Sequence, residues 1–174
     1  MRRREFISFI GGAAAWPITA RAQQTSASIG FLVAGAADTS APLIEAFNQG
    51  LRENGLIEGK DYVLELRWAE GHYERFPAFA RELADNGARV IVVGTVAAAR
   101  AAQRASSTVP IVMALMNDPV GNGLVASLAR PGGNTTGMAS LGQDVTPKQL
   151  ELLHTILPKT TSIAVLFNPT NPSN

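Results

Sequence analysis

Val90-Ile91-Val92-Val93, then Gly94-Thr95, then the alanine-rich stretch Ala97 to Ala105, is the segment on which the fold turns. A run of β-branched residues without polar alternation suits a strand buried on both faces. Glycine and threonine make the turn, and the alanines lead the chain away as a helix. A buried strand feeding a helix is half of a βαβ unit, and such units build parallel sheets. Residues 90–93 are therefore expected at the centre of one.

The same pattern recurs on both sides. Upstream, Ile29-Gly30-Phe31-Leu32-Val33 runs into Ala34-Gly35-Ala36, as a buried strand runs into a tight turn. Ser40-Ala41-Pro42 is expected to open a helix, with Leu43, Phe47 and Leu51 on its core face and Asn54-Gly55 as its stop. Tyr62 to Trp68 alternates, apolar at Tyr62, Leu64, Leu66 and Trp68 and charged at Glu65 and Arg67, which predicts a half-exposed strand near a sheet edge. Phe76, Phe79, Ala80 and Leu83 mark a second helix, closed by Asn86-Gly87.

Downstream, Pro110 to Leu115 reads as a strand with proline tolerated at its first position. Asn117-Asp118-Pro119-Val120-Gly121 is a loop. Leu124 to Ala129 is predicted to be a short helix stopped by Pro131-Gly132-Gly133, and Thr135 to Met138 a short strand. Pro147 to Leu157 predicts a further helix with Leu150, Leu153, Ile156 and Leu157 as its apolar set, and Ser162 to Phe167 another buried strand. Alternation at about thirty residues per unit gives an α/β fold with a doubly wound parallel sheet and helices on both faces.

Composition narrows the function. The 174 residues are 46% hydrophobic and 17% charged, which excludes a disordered chain. There is no cysteine, so disulfides, thiolate zinc sites and thiol nucleophiles are excluded together. A net charge of +1 and 6% aromatic residues give no footprint for nucleic acid.

Much of the positive charge is local. Met1-Arg2-Arg3-Arg4-Glu5-Phe6-Ile7-Ser8, a short apolar run rich in Gly and Ala, and Ala20-Arg21-Ala22 form a secretory signal, with cleavage expected after Ala22 and a periplasmic destination. Arg3-Arg4-Glu5-Phe6-Ile7 also resembles a twin-arginine signal, which makes Arg3 and Arg4 the contacts for the export translocon. Without residues 1–22 the chain holds 11 basic and 13 acidic side chains, a net charge of −2.

No nucleophile–base pair, phosphate loop or metal-ligand spacing is present, and His72 and His154 stand apart from other ligand types. No catalytic residue, metal or cofactor is expected. Gly121-Asn122-Gly123-Leu124-Val125-Ala126 fits a dinucleotide fingerprint, and a small nucleotide-binding enzyme domain is the alternative it supports. It follows the fourth strand rather than the first, so two glycines bending a loop over the strand ends is the competing reading. The stronger signal is collective: Val33-Ala34-Gly35-Ala36, Gly94-Thr95-Val96 and Asn117-Asp118-Pro119 all leave the carboxyl ends of expected strands, where open parallel sheets bind ligands. Thr95 either caps a helix or holds a carboxylate; Asp118 either accepts from a ligand ammonium or caps the turn before Pro119.

Three longer stretches bear a resemblance. Leu51 to Lys60 with Leu66 to Gly71, Asn117 to Gly137 including Pro131-Gly132-Gly133-Asn134-Thr135-Thr136-Gly137, and Val165 to Pro172 are similar to solute-binding proteins of ABC importers, the group with tryptophan- and tyrosine-type binders. The resemblance implies a class I periplasmic-binding-protein fold: a three-layer αβα lobe, a second such lobe, and a solute held in the cleft between them for an ABC permease. It places the first-lobe ligand site on Ala36, Gly94, Thr95, Asn117 and Asp118, with backbone amides providing much of the contact. Val96 stands where relatives often carry Pro, and Asn117 where they often carry Thr or Gly, departures that bear on which solute binds. The expected organisation is a signal at 1–22, the first lobe at 23–143 and an incomplete start of a second lobe at 144–174. Family members run to about two domains of 100–150 residues, so the chain is expected to be a truncated protein, gene fragment or partial record.

Overall fold

A computed structural model describes residues 26–140 and 142–165; the signal expected at 1–22 lies outside them. The elements are β1 (Ala27–Val33), α1 (Ala37–Glu53), β2 (Tyr62–Trp68), a 3-10 turn (Tyr73–Arg75), α2 (Phe76–Asp85), β3 (Val90–Val93), α3 (Val96–Ala105), β4 (Ile111–Asn117), β5 (Thr135–Ser140) and α4 (Gly142–Ile156). All pairs are parallel and the strand order is β2-β1-β3-β4-β5. The β-branched run at 90–93 is the central strand and the alternating run at 62–68 is an edge, as their patterns require.

The inner strands β1, β3 and β4 serve two cores. Leu32, Ile91, Val93, Ile111 and Met113 pack under α2 and α3, which bury Phe76, Ala80, Leu83, Val96, Ala98, Ala99 and Ala102. Ile29, Phe31, Val33, Val92 and Tyr62 face the opposite side, where α1 packs through Ile44, Phe47 and Leu51. The rings of Phe31 and Phe47 meet edge to face at 5.4 Å. Tyr62 is buried and its hydroxyl donates to Asn48 Oδ1 at 3.1 Å. Burial, aided by the nearby Glu58 carboxylate, raises its pKa above 10.0. The folded state therefore favours the neutral phenol, and this contribution is whole below pH ~10 and lost as pH rises through the folded value. Chemical denaturation of wild type and Tyr62→Phe across pH 8–11 should show the stability gap between them shrinking as pH rises.

The structure corrects several details. Helix α1 begins at Ala37, three residues before Ser40, and Leu43 is 51% exposed. Spacings of four drift around a helix of 3.6 residues per turn, and Ile44 completes the stripe with Phe47 and Leu51 instead. No helix forms at Leu124 to Ala129. The Leu124 and Val125 N–H groups donate to the Pro119 carbonyl, and that of Ala126 to Pro131, which ties the segment into turns. Residues 161–165 form no regular element, and Leu166 and Phe167 lie outside the described residues. A strand needs a neighbour to accept its hydrogen bonds, and none of the described strands pairs with 161–165. The apolar set of α4 has no cover among the described residues: Ile156 is 73% exposed and Leu150 50%.

The Pro-Gly-Gly-Asn segment is structural. Asn134 Nδ2 donates to the carbonyls of Ser106 at 3.0 Å and Val109 at 2.7 Å. Its own carbonyl accepts from Ile111 N–H at 2.8 Å, which sets the entry of β4 beside β5.

Candidate functional site

From β1 the chain crosses to β2 on one side, then returns over β1 to β3 on the other. The connections diverge between β1 and β3, and in open parallel sheets that switch point leaves a crevice beyond the carboxyl ends of the strands. The turns after β1, β3 and β4 lie side by side there, because β1, β3 and β4 are consecutive neighbours. All five residues expected to form the site, Ala36, Gly94, Thr95, Asn117 and Asp118, fall in or against these turns.

Ala36 is the N-cap of α1, in extended conformation, and has no side chain to offer the first turn. Asp38 Oδ1 accepts from Thr39 N–H at 2.8 Å, so the start of α1 keeps the N–H groups of Ala37 and Asp38 for an outside acceptor, at the positive end of the helix dipole. Gly35 leaves room for the Ser40 hydroxyl, which a Cβ there would approach to 2.6 Å and displace.

Gly94 differs. A Cβ on it would meet nothing within 4 Å, and its φ is not in the left-handed region. Nothing in the protein's own packing demands glycine at this position, and its small size keeps the space above the central strand open. Thr95 caps α3, its hydroxyl oxygen accepting from Ala98 N–H at 3.2 Å. That is the first of the two readings its sequence allowed; the hydroxyl hydrogen remains a donor. Thr95→Ala is expected to cost about 1 kcal/mol, read as a lower urea midpoint with an unchanged slope.

Asn117 ends β4, half-buried. No hydrogen bond joins its side-chain amide to the described residues, while its carbonyl accepts from Asn122 Nδ2 at 3.3 Å. Asp118 adopts a positive φ of 38° and its Oδ1 accepts from Gly121 N–H at 2.8 Å, so it caps the turn. Glycine at 121 leaves room for that cap, because a Cβ there would force the Asp118 carboxylate to swing away.

Two contributors escape a reading of the sequence alone. Asn122 Nδ2 also donates to the Asp118 carbonyl at 3.0 Å, and the Asn122 carbonyl accepts from Arg100 Nη2 at 3.2 Å, which pins the loop to α3. In sequence, Asn122 is masked between two glycines that suggest a nucleotide fingerprint. The turn after β2 is the other: Ala69 N–H donates to Val33 and Gly71 N–H to Ala34, both at 2.8 Å, bracing the β1 turn. Its only sequence signal is Gly71, which turns the chain at φ 82°.

The fingerprint itself is corrected. Gly121-Asn122-Gly123 leads into turns rather than a helix, so it has no helix N-terminus with which to cradle a pyrophosphate. His72 pairs with Glu74 at 3.0 Å on the surface. The described residues contain no group of three or more His, Cys, Asp or Glu able to hold a metal ion.

Comparisons with known proteins bear on the family and the fold. The family described as ABC transporter substrate binding protein matches residues 29–174. A tyrosine-binding protein of Clostridioides difficile (strain R20291) is 31% identical over 125 residues, covering 71% of this chain and 35% of that protein. A conserved domain protein of Vibrio cholerae superposes with a TM-score of 0.74 at 30% identity, covering 84% of this chain and 49% of the other. The ligand-free, open structure of CD0873, a substrate-binding protein with adhesive properties from Clostridium difficile, gives 0.62 at 26% identity, with 84% and 49% covered. The chain thus spans about a third to a half of the length of these relatives.

Proposed function

This chain belongs to the ABC transporter substrate-binding protein family, and from that premise we propose that its crevice binds an amino-acid-like or carboxylated solute, without chemical change, for delivery to an ABC permease. The observation that carries the reading is Gly94, an open position over the central strand that local packing does not require. Around it stand a carboxylate's natural partners, the amino-terminal turns of α1 and α3. On the β4 side, the free amide of Asn117 and the Asp118 carboxylate supply polar partners for an ammonium or side chain. The C. difficile tyrosine-binding protein supports the solute class.

The described lobe forms one wall of the site. In the whole protein a second lobe closes the other, as the lengths of the relatives suggest. Pockets usually enclose 70–90% of a ligand, so one wall alone binds at about millimolar level, several kcal/mol short of a micromolar site. Export through the signal at 1–22, with Arg3 and Arg4 read by the translocon and cleavage after Ala22, delivers the protein to the periplasm where such binding is useful.

Calorimetry with a panel of amino acids, and with NAD as the opposing arm, tests the proposal. Gly94→Leu should abolish amino-acid binding while leaving the denaturation midpoint unchanged, because its side chain enters open space. Undiminished binding in that variant would remove the crevice from the site. Dinucleotide binding that is lost on Gly123→Val would overturn the non-catalytic reading.

A further inference from the structure

Helices α2 and α3 leave a cleft of about 280 Å³ between their outer faces, lined by Pro77, Arg81, Ala101, Arg104 and Ala105. Pro77, Ala101 and Ala105 make a small apolar floor, and two guanidinium groups flank it. Each is tethered to its own helix: Arg81 Nε donates to the Pro77 carbonyl at 3.1 Å and Arg104 Nε to the Arg100 carbonyl at 3.2 Å. The tethers leave the Nη groups, the paired donors that match a carboxylate, without protein acceptors among the described residues. Among the described residues neither arginine has an ion pair; of the acids beside Arg81 on α2, Glu82 is bonded to Arg67 at 2.9 Å and Asp85, four residues on, makes no ion pair with it. This concentration of unpaired positive charge stands out because residues 23–174 carry 11 basic against 13 acidic side chains.

We propose that this cleft docks an acidic segment of a partner protein, its Asp or Glu carboxylates taken by Arg81 and Arg104 and their methylene stems laid on Pro77, Ala101 and Ala105. Charge complementarity selects an acidic occupant, and the surroundings select a protein chain over other anions. Pro77 has no N–H to offer, and Arg81, Ala101, Arg104 and Ala105 lie within helices, where backbone N–H groups bond the preceding turn, so the cleft lacks the convergent backbone donors that hold a free phosphate. The net negative charge of residues 23–174 opposes adhesion to an anionic lipid surface, which needs a cluster of cations. The cleft is separate from the crevice over the strand ends, and the proposal does not depend on what that crevice binds.

The test uses the 174-residue chain and a fluorescently labelled peptide of alternating Glu and Ala, with a Lys-Ala peptide as control, at low ionic strength. The Glu-Ala peptide should bind saturably and weaken as salt is added, since the ion pairs are exposed. Arg81→Ala with Arg104→Ala should weaken it at least tenfold. Arg89→Ala with Arg130→Ala, which removes the same charge from exposed positions elsewhere, should not. Equal weakening by both double variants would overturn the proposal, as a diffuse field rather than a cleft would be responsible. So would competition by inorganic phosphate at equal molar concentration, or sedimentation with phosphatidylserine vesicles that depends on Arg81 and Arg104.

Discussion

Replacing Gly137 by alanine is expected to destabilise the fold by about 3 kcal/mol or more, among the largest effects of any single substitution here. Gly137 lies in β5 with φ 141°, a conformation that side chains rarely adopt. It also sits against the backbone of β4, where a Cβ would come 2.2 Å from the Met113 oxygen and 2.6 Å from its nitrogen. The register between β4 and β5 is irregular at this place, between Met113 and Met116. Backbone cannot rotate away as a side chain can, so β5 must move off the sheet or the ladder must break. A fall of about 10 °C in the melting temperature is the corresponding thermal result. An unchanged melting temperature would mean that β5 does not approach β4 so closely.

Gly30 and Leu83 should behave as a coupled pair. A Cβ on Gly30 would meet Leu83 Cδ1 at 2.8 Å, and Leu83 is fully buried. Leu83→Ala should cost roughly 2–5 kcal/mol, the lost burial together with the cavity it leaves. Gly30→Val alone should cost about 1–3 kcal/mol by overpacking. Combined, the valine fills part of the volume the leucine vacates, so the double variant should be more stable than Leu83→Ala alone. Denaturant midpoints for the four proteins close the cycle. Additive losses would show that β1 and α2 do not meet there.

These contacts mark the boundary of what the sequence discloses. The positions of β1, β2, β3 and β4 are legible because burial on two faces, or on one, writes itself as continuous or alternating apolar runs. Thr95 is legible as a helix cap because it follows a buried strand and precedes a run of alanines. Leu124 to Ala129 misleads, because Leu124 and Val125 plug the core from a turn held by the Pro119 and Pro131 carbonyls while Leu128 stays exposed, and local periodicity cannot report such acceptors. Asn122 is invisible for the same reason: its importance lies in which carbonyls its amide reaches. The open space at Gly94 is illegible too, since a glycine required by packing and one that leaves a vacancy are the same letter. Leu150, Leu153 and Ile156 of α4 show an apolar pattern correctly, but a pattern does not say what covers it.

We propose above that the carboxyl ends of β1, β3 and β4 carry the solute site. Titration of the isotope-labelled chain with L-tyrosine, followed by backbone amide chemical shifts, tests it most directly. Saturable shifts are expected at Gly35, Ala36, Gly94, Thr95, Asn117 and Asp118, with an apparent dissociation constant of about a millimolar, and none at Gly132 or Gly133. Saturable shifts confined to Gly132, Gly133 and Asn134, with the crevice amides unmoved, would contradict it.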